Sequence, residues 1–180
     1  MMSKTTDDVD RTISEPVSIR PVSTNDAAGI VGVLNPIIEA RVYTALDTPF
    51  SITEERDFID RFPARGLFHV AVLDKTDRVV GFQNVEPFAD YTHAFDHVGV
   101  IGTYVDLNRR RQHIASQLFA TTLATAPKQG YGKLFAFVRA DNRPALFTYL
   151  RHGFRVIGNA RRHARVGDRY VDEILIEKLL

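Results

Sequence analysis

The spacing of apolar and polar positions predicts a chain that alternates between strands and helices. A period of two, or a short apolar run bounded by turn residues, predicts a strand, whereas a period near 3.6 predicts a helix. Strands are predicted at residues 17–22, 67–73, 78–88, 97–105, 132–138, 154–166 and 168–180. Helices are predicted at residues 23–34, 51–62, 112–126 and 142–153, with a further helical piece after Pro36. The order β-α-α-β-β-β-α-β-α-β-β indicates an α/β domain with a mixed sheet.

Single residues mark two of these elements. Asn142 is suited to cap a helix that carries Pro144 in its first turn, and Gly153 stands where that helix should end. Gly99 and Gly102 interrupt the strand at 97–105, which predicts either a bulge or a close approach of another segment to its backbone.

Composition limits the class of protein. The chain has 180 residues, 44% hydrophobic and 10% aromatic, which is enough for the core of one domain. It has no cysteine, which excludes disulfides, a thiolate nucleophile and cysteine-ligated metals. Residues 1–16 are polar and lack the apolar segment of a signal peptide, so we expect a disordered tail before one domain at residues 17–180. The absence of cysteine and of a secretory signal leads us to expect a cytoplasmic protein. No apolar run approaches the ~20 residues needed to cross a bilayer, so we expect no membrane partner.

Charge is distributed unevenly along the chain. Residues 1–106 contain nine Lys or Arg against 17 Asp or Glu, whereas residues 107–169 contain 13 Lys or Arg against only two acidic residues. This asymmetry predicts that the second half binds an anion, either a phosphorylated small molecule or nucleic acid. Nucleic acid is the weaker candidate, because the arginines are dispersed and no aromatic or glycine-rich RNA motif accompanies them.

Three consecutive arginines, Arg109, Arg110 and Arg111, separate the strand at 97–105 from the following helix. The first turn of a helix presents unpaired N–H groups and a partial positive charge, which favour an anion such as phosphate. The arginine side chains would add charge-assisted hydrogen bonds, and the small Ala115 would let a ligand approach the backbone. The glycines of a Walker loop or a dinucleotide-binding motif are absent. From these residues alone, a solvated basic turn is the alternative.

A second candidate site lies in the predicted helix at 142–153. Asn142 and Tyr149 are seven residues apart, close to two helical turns, so both lie near one side of the helix. A tyrosine placed there is able to give a proton to a leaving group, although its ordinary pKa of ~10 requires a suitable setting. Packing of Tyr149 in the core is the alternative.

Together these two segments resemble the paired signature of the GNAT superfamily of acyl-CoA-dependent N-acyltransferases. Its first motif, Gln/Arg-x-x-Gly-x-Gly/Ala, falls on Arg110, His113 and Ala115. Its second motif, an Asn and then a Tyr four residues before Gly-Phe, falls on Asn142, Tyr149, Gly153 and Phe154. The segments "IRPVSTND", "VVGFQNVEPF" and "GDRYVDEILIEKL" further resemble the phosphinothricin-acetyltransferase-like branch. The resemblance spans residues 17–180.

The resemblance implies one GNAT-like domain, with a mixed, mostly antiparallel sheet of about seven strands flanked by about four helices. The sheet would splay between its fourth and fifth strands to open the acceptor slot. Acetyl-CoA would be the cosubstrate, with Asn142 holding the pantetheine arm and Tyr149 protonating the departing thiolate. The residues implied for the pyrophosphate are Arg110, Arg111, Gln112, His113, Ile114, Ala115 and Ser116. The residues implied to pair with the pantetheine amides are Tyr104 and Val105.

Two residues depart from the family pattern. His113 replaces the first glycine of the phosphate motif, and we expect it to be tolerated only if its backbone keeps a negative φ. Val100 stands where the branch commonly carries a glutamate, a candidate base for the incoming amine. The nearest alternative bases along the chain are Glu86, Asp96 and His97.

We therefore predict an acetyl-CoA-dependent N-acetyltransferase that acts on a small primary amine or an amino-terminal group. Direct attack on the thioester is expected, because no cysteine is present to form an acyl-enzyme. A CoA-binding or sensing module with weakened catalysis is the alternative that Val100 and His113 favour. We expect no metal, since His93 and His97 have ligand-like spacing but no apparent third ligand. The branch resemblance also leads us to expect a homodimer.

Overall fold

The computed structural model describes residues 15–180, so the predicted tail at residues 1–16 lies almost wholly outside the described residues. Across these residues the strands are β1 Val17–Pro21, β2 Leu67–Leu73, β3 Val79–Pro87, β4 Val98–Val105, β5 Lys133–Arg139, β6 Arg155–Val166 and β7 Arg169–Leu179. The α-helices are α1 Ala27–Glu39, α2 Ile52–Asp60, α3 Ile114–Thr125 and α4 Arg143–Arg151. This order confirms the predicted sequence of strands and helices.

All seven strands form one sheet in the order β1-β2-β3-β4-β5-β7-β6. Every neighbouring pair is antiparallel except β4 and β5, which run parallel. The β4–β5 pairing is short and ends at Val100 and Phe135, although β4 continues to Val105 and β5 to Arg139. The fold class, including the splay between the fourth and fifth strands, is therefore confirmed.

The two faces of the sheet are covered by different helices. On one face Phe82 and Tyr104 pack with the buried residues of α1, such as Ile30. On the other face Ile101 packs with Phe119 of α3. Because side chains alternate along a strand, even-numbered positions of β4 face α1 and odd-numbered positions face α3. Every residue of β2 is buried, as expected for a strand that helices cover on both sides.

Two details of the predicted helices need correction, and the structure decides between the two alternatives predicted for the glycines of β4. α1 continues through Pro36 as a single helix, because Ile37 and Ile38 are buried and hold its last turn against the core. α3 begins at Ile114 and not at Gln112. The pairing of β3 with β4 contains no bulge, so Gly99 marks a close approach, in which an added Cβ would lie 2.5 Å from Val85.

No α-helix in the described part of the chain is long and apolar enough to cross a membrane. Residues 15–180 also contain no group of three or more His, Asp or Glu side chains placed to share a metal ion.

The carboxyl group of Glu55 on α2 is a buried charge that costs stability. Glu55 is only 4% exposed, and burial raises the pKa of its carboxyl to about 7 from an ordinary value of 4.5. At pH 8 the carboxyl is ionised in both the folded and the unfolded chain, so the folded chain carries the full cost of burying it. Below pH 4.5 it is neutral in both, and the cost disappears.

Glu55→Gln should therefore raise the free energy of unfolding at pH 8 by about 1–3 kcal/mol, and the gain should fall away between pH 7 and pH 4.5. Chemical denaturation of both proteins at several pH values measures this difference. The neighbouring Glu54→Gln is the control and should bring no gain, because Glu54 accepts hydrogen bonds from Ser51. An equal gain from Glu55→Gln at pH 5 and pH 8 would contradict this account.

Candidate active site

A cleft of about 1230 Å³ opens where β4 and β5 separate. Beyond Val100 and Phe135 the two strands diverge, so the cleft passes between them and connects the two faces of the sheet. Its lining includes Tyr104 from the face that α1 covers and Tyr149 from the face that α4 covers. One opening thus brings together residues that lie on opposite sides of the sheet.

The structure brings together nearly all of the residues that the sequence singled out. Gln112 belongs to the same loop but does not line the cleft. The predicted residues that do line it are Tyr104, Val105, Arg110, Arg111, His113, Ile114, Ala115, Ser116, Asn142 and Tyr149. Their proximity follows from topology, because β4 leads into α3 and β5 leads into α4 at the same edge of the split.

The start of α3 forms one end of the cleft and is strongly basic. Ile114, Ala115 and Ser116 make up the first turn, whose N–H groups have no partner within the helix. Among the described residues, no side chain caps this turn. Arg110 lies beside it, with its guanidinium carbon 4.0 Å from the centre of the Tyr43 ring. An exposed helix N-terminus with adjacent arginines suits a phosphate group.

His113 does not keep the negative φ on which its tolerance was expected to depend. It precedes α3 in the left-handed conformation with φ 61°, and Arg111 in the same loop has φ 60°. The loop thus retains a backbone conformation that glycine adopts without steric strain. A residue with a Cβ in this conformation lowers the folding stability by about 1–2 kcal/mol. The condition of a negative φ is therefore not met, and the backbone is strained at His113.

Tyr149 is buried and belongs to a chain of polar groups. Its hydroxyl oxygen lies 3.1 Å from Thr103 Oγ1 and 3.4 Å from the carbonyl oxygen of Ile101, both on β4. Gln83 Nε2 donates to Thr103 Oγ1 at 2.8 Å. The Thr103 hydroxyl is able to donate to the Tyr149 oxygen while its own oxygen accepts from Gln83, and the Tyr149 hydroxyl donates to the Ile101 carbonyl oxygen. Burial raises the pKa of Tyr149, so its hydroxyl stays protonated at neutral pH.

Asn142 has protein partners for both ends of its side-chain amide. Its Oδ1 accepts from the backbone N–H of Ala145 at 3.3 Å, which is the predicted helix cap. Its Nδ2 donates to the carbonyl oxygen of Tyr43 at 2.9 Å and so ties α4 to the loop after α1. An amide carries two N–H donors, and this contact uses one of them.

The three candidate bases differ in their position relative to the cleft. Glu86 lines the cleft, and Asn84 Nδ2 donates to its Oε1 at 3.0 Å. Asp96 lies outside the cleft lining and forms an ion pair with Arg65 at 3.0 Å. His97 is likewise outside the lining. Of these candidates, only Glu86 is therefore placed to meet a ligand in the cleft.

Sequence reasoning missed a polar group at the end of β5. Arg139 is 4% exposed and pairs with Asp141 through two hydrogen bonds of 2.9 and 2.7 Å. Its Nη1 also donates to the carbonyl oxygens of Arg41 and Thr44, which fixes the loop that borders the cleft. The only signal in the sequence was a charged residue at the end of an almost wholly apolar strand.

β7 is the last strand of the chain, but it is not an edge of the sheet. β7 lies between β5 and β6, and Glu173 is buried in the cleft wall at 8% exposure. Burial raises the pKa of its carboxyl, and His163 Nε2 lies 3.9 Å from its Oε2. The final hairpin therefore contributes polar groups to the cleft.

Two groups of basic residues in the second half of the chain have different surroundings. Some neutralise acidic residues in or beside the sheet: Lys133 and Arg155 both pair with Glu177, and Arg139, which also lines the cleft, pairs with Asp141. Others line the cleft, namely Arg109, Arg110, Arg111 and Arg151. The charge asymmetry of the sequence thus becomes a local concentration of positive charge near the start of α3.

Comparison with known proteins agrees with this geometry. The sequence profile of the acetyltransferase (GNAT) family matches residues 38–154. YwnH of Bacillus subtilis (strain 168) is 26% identical over 164 residues, covering 91% of this chain and 99% of YwnH. The phosphinothricin N-acetyltransferase of Streptomyces viridochromogenes is 25% identical over 146 residues, covering 81% of this chain and 78% of that protein.

The fold is also similar to that of a solved acetyltransferase. The crystal structure of a GNAT superfamily phosphinothricin acetyltransferase from Sinorhizobium meliloti, in complex with acetyl-CoA, matches with a TM-score of 0.83. That match covers 91% of this chain and 88% of the other at 17% identity. Together with the profile match, these similarities confirm the resemblance to the GNAT superfamily and its phosphinothricin-acetyltransferase-like branch.

The strain at His113 leads to a testable prediction about stability. His113→Gly should raise the free energy of unfolding by about 0.5–1 kcal/mol, because glycine adopts a φ near 61° without strain but loses more entropy on folding. His113→Ala is the matched control and should bring no such gain, because alanine keeps the Cβ. Denaturant titration of the three proteins measures the difference. Equal stability of the glycine and alanine variants would show that the loop is not strained at this residue.

Proposed function

This chain belongs to the acetyltransferase (GNAT) family and is a GNAT-type N-acetyltransferase; from this premise we propose that it transfers the acetyl group of acetyl-CoA directly to a small primary amine or an amino-terminal group. The observation that carries the proposal is the split between β4 and β5, which joins the basic start of α3 to the hydroxyl of Tyr149 in one cleft. An amine and a thioester are able to meet in such an opening from opposite faces of the sheet.

Groups along the cleft are complementary to the successive parts of acetyl-CoA, from the pyrophosphate to the thioester. The uncapped first turn of α3 and Arg110 suit the pyrophosphate. Beyond Val100, β4 has no strand beside it on the β5 side among residues 15–180, so Tyr104 and Val105 are available to pair with the pantetheine amides. The thioester would then lie near the apex of the split, where Tyr149 approaches β4.

The proposed reaction is one direct transfer. The nitrogen lone pair of the neutral amine attacks the thioester carbon and forms the C–N bond, and the C–S bond then breaks to release CoA as a thiolate. The amine loses one proton to a base, and the thiolate gains one from Tyr149. Positioning of the two reactants supplies much of the acceleration, because the bound pair reacts as if within a single molecule. No acyl-enzyme forms, since the chain has no cysteine.

The relatives support an amine acceptor of modest size. The curated relative from Streptomyces viridochromogenes is named a phosphinothricin N-acetyltransferase, and its name supports a small-molecule acceptor for this chain. A cytoplasmic location and a homodimer stay predictions from the sequence. A CoA-binding module with weakened catalysis is the second candidate, because strain at His113 lies within the loop proposed to hold the pyrophosphate.

Tyr149→Phe should lower kcat by about 10²–10⁴-fold and leave the affinity for acetyl-CoA unchanged, because it removes only the hydroxyl that protonates the thiolate. Thiol release with a panel of primary amines measures kcat, and calorimetry measures acetyl-CoA binding. Tyr131→Phe is the matched control: the Tyr131 hydroxyl is also hydrogen-bonded, to the carbonyl of Arg65, but it lies outside the cleft lining.

Three outcomes of this experiment differ in meaning. Binding with thiol release that depends on Tyr149 supports the transferase as proposed. Binding and turnover that Tyr149→Phe leaves intact would remove Tyr149 from the mechanism. Binding of acetyl-CoA without turnover of any amine would favour the CoA-binding module.

A further inference from the structure

Glu86 lies level with the apex of the split in the sheet. In the β3–β4 pairing its register partner is Val100, and Val100 is also the last residue of β4 that pairs with β5. Residues directly opposite one another in an antiparallel pair project to the same face of the sheet. The side chains of Glu86 and Val100 therefore project together, at the point where the cleft passes through the sheet.

Glu86 and Tyr149 approach this point from opposite faces. Glu86 shares the face of Tyr104, which packs with the core beneath α1. The Tyr149 hydroxyl contacts Thr103 and the carbonyl of Ile101, the residue after Val100, from the face that α3 and α4 cover. A group held at the apex would thus have a carboxylate on one side and a phenol hydroxyl on the other.

The surroundings of Glu86 leave its carboxylate available as a proton acceptor. Asn84 Nδ2 donates to Oε1 at 3.0 Å and so orients the carboxylate. Burial raises the pKa of the Glu86 carboxyl above its ordinary value, which brings it closer to neutral pH. The described part of the chain holds no Lys or Arg in an ion pair with Glu86, whereas Asp96, the other nearby acid, is held by Arg65.

The other titratable groups near Glu86 are few. Burial raises the pKa of Tyr104 on β4 and of Tyr131, which precedes β5, and both lie close enough to Glu86 that its charge adds to this rise. Both are neutral at neutral pH, so they add no charge to the site. Across the cleft, Glu173 of β7 lies near His163 and Arg139. No fixed cation among the described residues therefore competes with an ammonium group for Glu86.

From this arrangement we propose that Glu86 is the catalytic base, which binds the acceptor ammonium and takes one proton from it before the nitrogen attacks the thioester. The proposal rests on the proposed function and deepens it. The N–H bond breaks, its electron pair stays on nitrogen as the attacking lone pair, and the proton becomes the O–H of Glu86. Tyr149 supplies the separate proton that the CoA thiolate takes up, and the second proton, which the nitrogen loses as the amide forms, restores the Tyr149 hydroxyl. The acceptor is accordingly a cation in solution, an alkylamine with a pKa near 10.

The test compares two amines of similar size in wild type and Glu86→Gln: an alkylamine that is mostly protonated at pH 7, and an aromatic amine that is already neutral. In the variant, kcat/KM for the alkylamine should fall by about 10²–10⁴-fold, while kcat/KM for the aromatic amine should fall by less than about tenfold. The variant's alkylamine activity should keep rising with pH toward the pKa of the free amine, near ~10. Acetyl-CoA affinity, measured by calorimetry, should not change.

The matched control is Asp96→Asn, the same change of carboxylate to amide at an acid that lies outside the cleft lining. It should leave both amines unaffected. The inference is overturned if Glu86→Gln retains wild-type activity toward the alkylamine, or if it loses activity equally toward both amines, which would indicate a structural role. A wild-type protein that binds acetyl-CoA but acetylates neither amine would overturn the proposed function itself, and with it this role of Glu86.

Discussion

The rest of the structure depends on the short pairing between β4 and β5. Parallel strands that continued side by side would close the sheet, but here the pairing stops at Val100 and Phe135 while both strands run on. Unpaired backbone groups inside a protein are costly unless water or a ligand satisfies them. The open side of β4 is thus both a local weakness of the sheet and the element around which the cleft is built.

Because of the split, the two faces of the sheet contribute different groups to the cleft. One face contributes the start of α3 and the buried hydroxyl of Tyr149. The other face contributes the side chains of Glu86 and Glu173, which enter the cleft from β3 and β7. A basic region suited to phosphate and an acidic region suited to an amine are therefore kept apart. In the proposed reaction each region would bind its own ligand, and the two ligands would meet only at the apex.

Much of this arrangement could be predicted from the sequence, for physical reasons that differ between residues. The order of strands and helices follows from apolar periodicity, and the arginine-rich turn and Asn142 mark the starts of two helices by their own chemistry. The sequence could not show that Glu86 alone among three candidate bases enters the cleft, because that depends on its register with Val100. The sequence could not show that Glu173 lies inside the sheet, because strand order within a sheet is not encoded in local pattern. At His113 the loop keeps its left-handed shape despite the Cβ, since the surrounding fold imposes that shape.

The measurement that tests the central claim most directly is amide hydrogen exchange of the protein with and without acetyl-CoA, resolved by peptide mass spectrometry. If the ligand occupies the split, exchange should slow in the segment from Ile101 to Ser116, which contains the open end of β4 and the first turn of α3. The β2 segment, buried between its neighbours, should show no change. Protection elsewhere in the chain, with none in that segment while acetyl-CoA is bound, would contradict the account.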